Sequence, residues 1–154
     1  MENKKVIQLC RMENIDRYGE IYAKAFSGEP WNDPWETKDA MVHVKELLEN
    51  KQSYGLECLV DGEVAGFILG TSMLFSYGRT FEINDLAVDP DYQRQGIAKM
   101  LLERFLADVK EQGIVGVHLI TACEGVLPGF YERYGFKKET RVMLMGMELQ
   151  VLSA

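Results

Sequence analysis

Three cysteines and two histidines are spread through 154 residues, and neither set is spaced for metal or covalent chemistry. Cys10, Cys58 and Cys123 stand alone, with no C-x-x-C pair among them. Such an odd, scattered set excludes a disulfide framework and a zinc knuckle, and reads as the reduced thiols of a cytosolic protein. His43 and His118 do not fall at ligand spacing with them and read as ordinary, so no metal is expected. No apolar run approaches the roughly 18–20 residues of a membrane helix, and Met-Glu-Asn-Lys-Lys at the start lacks a signal peptide's apolar core. A soluble, cytoplasmic chain without a membrane partner is therefore expected. Positive charge is also in deficit: 17 basic against 24 acidic residues leave a net charge of −7. That disfavours nucleic acid as a partner and suits cationic ligands such as amines. Neither G-x-G-x-x-G nor G-x-x-x-x-G-K occurs, which argues against dinucleotide and P-loop nucleotide binding.

What is present fits one globular domain over residues 1–154, with 47% apolar residues to build its core. The most ordered stretch runs from Phe81 to Leu106. Phe81 to Val88 reads as a strand and is stopped by Asp89-Pro90. Ile97, Leu101, Phe105 and Val109 then recur at helical spacing. Between them lies Gln93-Arg94-Gln95-Gly96-Ile97-Ala98. A glycine at a helix start admits close approach of another body, and the free N–H groups and dipole there favour an anion. The corner can hold a phosphate or pyrophosphate, with Arg94 and Lys99 adding charge at the rim. The alternative is a glycine that serves only tight packing against the strand.

Gln93-x-x-Gly96-x-Ala98 resembles the Q/R-x-x-G-x-G/A signature of the GNAT superfamily of acetyl-CoA-dependent N-acetyltransferases. Leu-Ala-Val-Asp-Pro before it and Gly129-Phe-Tyr-Glu-Arg-Tyr-Gly-Phe136 after it are similar to the same family's pattern. The resemblance runs from about Phe81 to Phe136 and implies acetyl-CoA as the cofactor. It also implies that Leu86, Ala87, Val88 and the run Gln93, Arg94, Gln95, Gly96, Ile97, Ala98, Lys99 line the coenzyme site.

Around that stretch the chain reads as a mixed α/β fold, in the order β-α-α-β-β-β-α-β-α-β, which is also the GNAT order. A short strand from Val6 to Cys10 is followed by a helix capped by Asn14 or Asp16, with Ile15, Tyr18, Ile21, Tyr22 and Ala25 on its apolar face. Thr37 reads as the cap of a second helix over 38–50. Leu56 to Val60 and Glu63 to Thr71 read as a hairpin about Asp61-Gly62, and Gly66 and Gly70 suggest a bulge or a close approach. Val115 to Thr121 is the next strand, a helix over about 125–134 follows, and Val142 to Val151 reads as the last strand. The fold expected is a central sheet of about six to seven strands, splayed at the coenzyme site.

Acyl transfer to an amine needs a polarised thioester carbonyl, a neutral amine and a proton for the leaving thiolate. Backbone N–H groups of Val88 or Leu86 are candidates for the first. The resemblance implies Glu82 as general base, acting directly or through a water, and Tyr131 as the acid for the thiolate. Strand alternation puts Glu82, Asn84 and Leu86 on one face and Asp85, read as a structural hydrogen-bonder, on the other. Leu127, Phe130, Tyr131 and Tyr134 are also what a core-facing helix looks like. Where many family members carry an asparagine and a small residue before this tyrosine, Glu124 and Leu127 stand here. Trp31 and Trp35, in a proline-broken loop, are either a plug over the core or, as the family's topology favours, a wall of the acceptor site. The expected activity is acetyl transfer to a primary amine of a small molecule, amino acid or peptide; a non-catalytic acyl-CoA-binding module is the alternative. A homodimer through the late strands is permitted by the apolar run from Val142 to Leu149.

Overall fold

The computed structural model describes residues 3–150. They fall into two compact units, one ending at Ala122 and one beginning at Cys123.

The first unit carries a sheet of five strands in the order β1-β2-β3-β4-β5: Lys5–Leu9, Ser53–Val60, Glu63–Phe75, Gly78–Val88 and Gly116–Leu119. The first four are antiparallel and β5 joins β4 in parallel. Helices α1 (Ile15–Ser27) and α2 (Thr37–Glu49) lie between β1 and β2, and α3 (Ile97–Glu111) makes the crossover from β4 to β5. The hairpin joining β2 to β3 turns at Asp61-Gly62, both with positive φ, as a tight two-residue turn requires.

One face of the sheet is covered by α1 and α2, whose Tyr18, Ile21, Tyr22, Ala40 and Val44 pack on Phe67, Leu69 and Ala87. Leu101, Leu102, Phe105 and Val109 form the buried stripe of α3. Phe105 meets Phe81 of β4 edge to face, at 5.0 Å between ring centres. The period of 3.6 is thus realised where the apolar spacing places it.

Two sequence-based caps are not formed. Asn14 precedes α1 but gives no side-chain cap; its Nδ2 donates to Glu57 at 2.9 Å. Glu57 is wholly buried in β2, and the Tyr18 hydroxyl also donates to it. Gln8 Nε2 donates to its other oxygen, and a hydrogen bond to a buried charge contributes about 1.5–3 kcal/mol, more than the ~1 kcal/mol of a helix cap. Thr37 is the first residue of α2 and not its cap, which is Glu36.

The sheet is also smaller than the six to seven strands expected. Val142 to Leu149 pairs with no strand among the described residues and is exposed throughout, and Val151 lies outside the described residues. A short apolar run becomes a strand only when a partner edge lies alongside to take its backbone hydrogen bonds. The last helix, α4, spans Leu127–Glu132 and is shorter than the 125–134 expected.

The bulge anticipated from the glycines lies where β3 and β4 slip register between Leu69 and Gly70. Leu69 pairs with Asp85 and Gly70 with Ile83, so Asn84 is the extra residue. A Cβ on Gly70 would collide with the Glu82 carbonyl and the Phe81 ring. Gly70→Ala is expected to destabilise the protein by about 1–3 kcal/mol. Gly28→Ala, where nothing lies near the new methyl, is expected to change stability by under about 0.5 kcal/mol. Urea denaturation of the two variants checks both.

Candidate active site

The bulge decides which side chains meet. Because Thr71 and Leu69 point to one face of β3, their partners Glu82 and Asp85 share that face on β4. The alternation expected from sequence, with Glu82 and Leu86 together and Asp85 opposite, is overturned by the inserted Asn84. Asn84 itself is exposed, with Oδ1 3.2 Å from the Thr71 hydroxyl that donates to it. Glu82 is 38% exposed, enough to meet a ligand, whereas Asp85 is 4% exposed.

Strand β5 pairs with β4 only over Thr80–Ile83. From Asn84 to Val88 that edge of β4 has no strand beside it among the described residues. The Asp89 N–H donates to the Ala65 carbonyl of β3 at 2.8 Å, which sets the phase of the ladder. By its alternation Ala87 also turns its backbone groups to β3, while Leu86 and Val88 turn theirs to the open edge. Of the three residues expected to line the coenzyme, Ala87 spends its backbone on the sheet and its methyl on the core beneath α1.

Beyond Val88 a turn at Pro90–Tyr92 leads to the start of α3. Asp89 organises it. Its carboxylate accepts from the Asp91 N–H at 3.0 Å, from Arg17 Nη2 at 2.7 Å and from Lys24 Nζ at 3.3 Å. Burial pushes its pKa up, but the Asp91 amide, Arg17 and Lys24 together outweigh that and hold it below the usual carboxylate value. Arg17 also donates through Nε to the Val64 carbonyl at 2.9 Å, so α1, β3 and the turn are joined at one point.

The corner that follows fits a phosphate-bearing ligand. Arg94 and Gly96 both hold left-handed backbone, at φ 64° and 77°. Nothing lies near the position a Gly96 Cβ would take, so the approach is open. The first turn of α3 has no side-chain cap and no acidic residue, leaving its N–H groups and dipole for an outside anion. Gln93, Arg94 and Lys99 are exposed at the rim, Gln95 and Ala98 are half-buried, and Ile97 is buried as an anchor.

The tryptophan loop connects α1 to α2. Trp35 packs edge-on against Tyr22 at 4.9 Å and its Nε1 donates to Asp33 at 3.1 Å; Trp31 is 40% exposed and faces Phe26 at 6.0 Å. Two histidines that spacing alone marked as ordinary meet acids of β4. His43 Nε2 lies 2.9 Å from Asp85 Oδ2, and His118 Nε2 lies 4.0 Å from Glu82 Oε2, across the β4–β5 register. His43 follows Ala40 by one helical turn on the stripe shared with Val44 and Leu47, a position from which inward orientation could be read.

In the second unit Tyr131 lies on α4, half-buried with Phe130 and Phe136 around its ring. Burial pushes its pKa up to about 12, so the phenol keeps its proton at neutral pH.

An open strand edge running into an uncapped, glycine-led helix start can take an extended ligand arm and its phosphates, as an acyl-CoA-dependent acyltransferase must. The chain belongs to the Acetyltransferase (GNAT) family, matched over residues 15–136, and is an acetyl-CoA-dependent N-acetyltransferase. It is 33% identical over 108 residues to the [ribosomal protein bS18]-alanine N-acetyltransferase of Escherichia coli (strain K12), covering 70% of this chain and 67% of that one. Among solved structures, a possible acetyltransferase from Clostridium difficile 630 superposes with a TM-score of 0.80 at 20% identity, over 95% of this chain and 99% of that one. The aminoglycoside N-acetyltransferase AAC(6')-Iy in complex with CoA superposes at 0.72, with 15% identity over 96% and 97% of the two chains. Among the described residues, no helix is long and apolar enough to cross a membrane.

Removing the charge of Asp89 leaves Arg17 without its buried partner. Asp89→Asn is expected to cost about 3 kcal/mol at pH 7. Because the folded-state pKa of Asp89 lies below its unfolded value, this contribution is complete above the ordinary carboxylate pKa. It is lost as pH falls through the lowered value. Urea midpoints of wild type and variant should therefore differ at pH 7 and converge as the pH drops below 4.

Proposed function

We propose that this enzyme moves acetyl from acetyl-CoA to the primary amine of a small cationic molecule or a peptide by direct attack in a ternary complex. The observation that carries the reading is the edge of β4. It loses its partner strand after Ile83, next to Glu82 and upstream of the uncapped start of α3. The chain is read as one acetyltransferase domain, since the family match crosses from the first unit into the second.

Bound acetyl-CoA supplies the activated acyl carbon, and the chain's own residues do the rest. Gln93 to Lys99 hold the phosphates on the N–H groups at the start of α3. The Leu86 and Val88 N–H groups, fixed by the β3 ladder, offer pre-oriented donors to a carbonyl oxygen laid along the strand edge. Glu82 accepts the amine proton, directly or through a water. Tyr131, its phenol protonated at neutral pH, is the proton source for the departing sulfur. Trp31 and Trp35 offer ring faces to a cationic acceptor, and Asn84 an exposed amide. The net charge of −7 favours such an acceptor. Relatives named for ribosomal-protein alanine and for aminoglycosides support amines of both kinds as candidates.

Calorimetric titration with acetyl-CoA should give saturable binding that Gly96→Val abolishes. Absence of binding at millimolar coenzyme would overturn the reading. Thiol release with alanine-terminated peptides, polyamines and aminoglycosides then identifies the acceptor. With it, Glu82→Gln is expected to lower kcat by roughly 10²–10⁴-fold and leave the Kd for acetyl-CoA unchanged. An equal loss in binding would remove Glu82 from the chemistry.

A further inference from the structure

Asp85 is a buried acid on the strand that carries the chemistry, and the mechanism above makes no use of it. Its partner is His43 of α2, at 2.9 Å. The His43 ring is in turn enclosed by aromatic neighbours. Tyr22 of α1 lies 4.7 Å away and Trp35 of the α1–α2 loop 5.4 Å away, centre to centre. Tyr22 and Trp35 also touch each other. The chain of contact therefore runs from the bulged segment of β4, through a histidine, to the ring proposed as a wall of the acceptor site.

We infer that His43 and Asp85 form a protonation-dependent clamp that sets the position of Trp35, and through it the affinity for the acceptor amine. This rests on the reading of Trp35 as an acceptor wall. His43 is the positioning residue, acting through the indole and not on the reacting atoms. In its charged form the imidazolium satisfies the buried Asp85 carboxylate and lies against two electron-rich rings, which favour a cation. In its neutral form the first attraction shrinks and the second is lost.

The groups that face the pair come from each neighbouring element. Asp85 of β4 raises the His43 pKa most, against the lowering effect of burial, and Glu46 of α2 adds to it. The Tyr22 hydroxyl of α1, its own pKa pushed up by burial, Asp85 and Asp33, stays neutral. The sign follows from the raised value. The clamp is complete below the ordinary imidazole pKa and is released as pH rises through the elevated one.

Trp35 reports on the clamp without any acceptor, because a protonated imidazole quenches a neighbouring indole. In Trp31→Phe protein, Trp35 is the sole tryptophan. Its emission should rise with pH through a midpoint above about 6.5, the free imidazole value. Adding His43→Gln should abolish the transition, and adding Asp85→Asn should move its midpoint down, since the neighbouring carboxylate is the main cause of the raised value. A flat emission profile between pH 5 and 9 in the Trp31→Phe protein overturns the proposal without requiring any change to the pair itself. So does a transition that survives His43→Gln. With the amine returned by the thiol-release screen, His43→Gln should raise the acceptor KM about tenfold at pH 6.5, with kcat and the Kd for acetyl-CoA kept. If Trp35→Ala raises that KM and His43→Gln does not, the clamp fails while the aromatic wall stands. If neither changes it, the wall reading fails and takes the clamp with it.

Discussion

A single inserted residue in the central strand sets the geometry on which the site depends. Asn84 has no partner on β3, so the strand reverses its phase there. Upstream, Phe81 and Ile83 point into the core beneath α3 and Glu82 points to the other face. Downstream, Asp85 and Ala87 take that other face, and Leu86 and Val88 turn their backbone outward. Gly70 makes the insertion possible, because any side chain there would strike the backbone of Glu82 and the ring of Phe81. Without the slip, Glu82 and Asp85 would stand on opposite sides of the sheet.

The open edge of β4 is the second consequence of local pairing. β5 contributes only four residues to the sheet and leaves before the bulge. A strand edge with free donors is ordinarily a liability, and here it is the feature that an extended ligand arm can use. The same strand then feeds Asp89, which is buried and neutralised by Arg17 and Lys24 from α1. That ion-pair cluster fixes the turn, and the turn aims the first N–H groups of α3. The corner proposed to hold the coenzyme thus depends on the packing of α1, although α1 supplies none of the residues proposed to touch the coenzyme.

Acids and histidines on one face show how burial separates roles that residue type does not. Asp85 is enclosed by Tyr22 and His43 and is committed to holding α2 against the sheet. Glu82 remains accessible, with His118 at 4.0 Å on the adjoining strand. Two carboxylates three positions apart therefore divide into a buried structural partner and an accessible group.

Much of this was legible in the residues alone. The corner at Gln93 to Ala98, the apolar stripe of α3, the Asp61-Gly62 turn and the order of the elements as far as α4 are local properties. They follow from spacing, from glycine's freedom and from the stop imposed by Asp89-Pro90. Pairings between distant segments were not legible. The register of β3 against β4 moved Glu82 to the face of Asp85, the demand of buried Glu57 drew Asn14 away from its cap, and Val142 to Leu149 formed no strand. The meeting of His43 with Asp85 belongs to the same class. A local pattern determines what a segment can become, because backbone propensity and periodicity act over a few residues. Which groups face one another is decided only when strands and helices from far apart share a common core, where each buried polar group must find a partner.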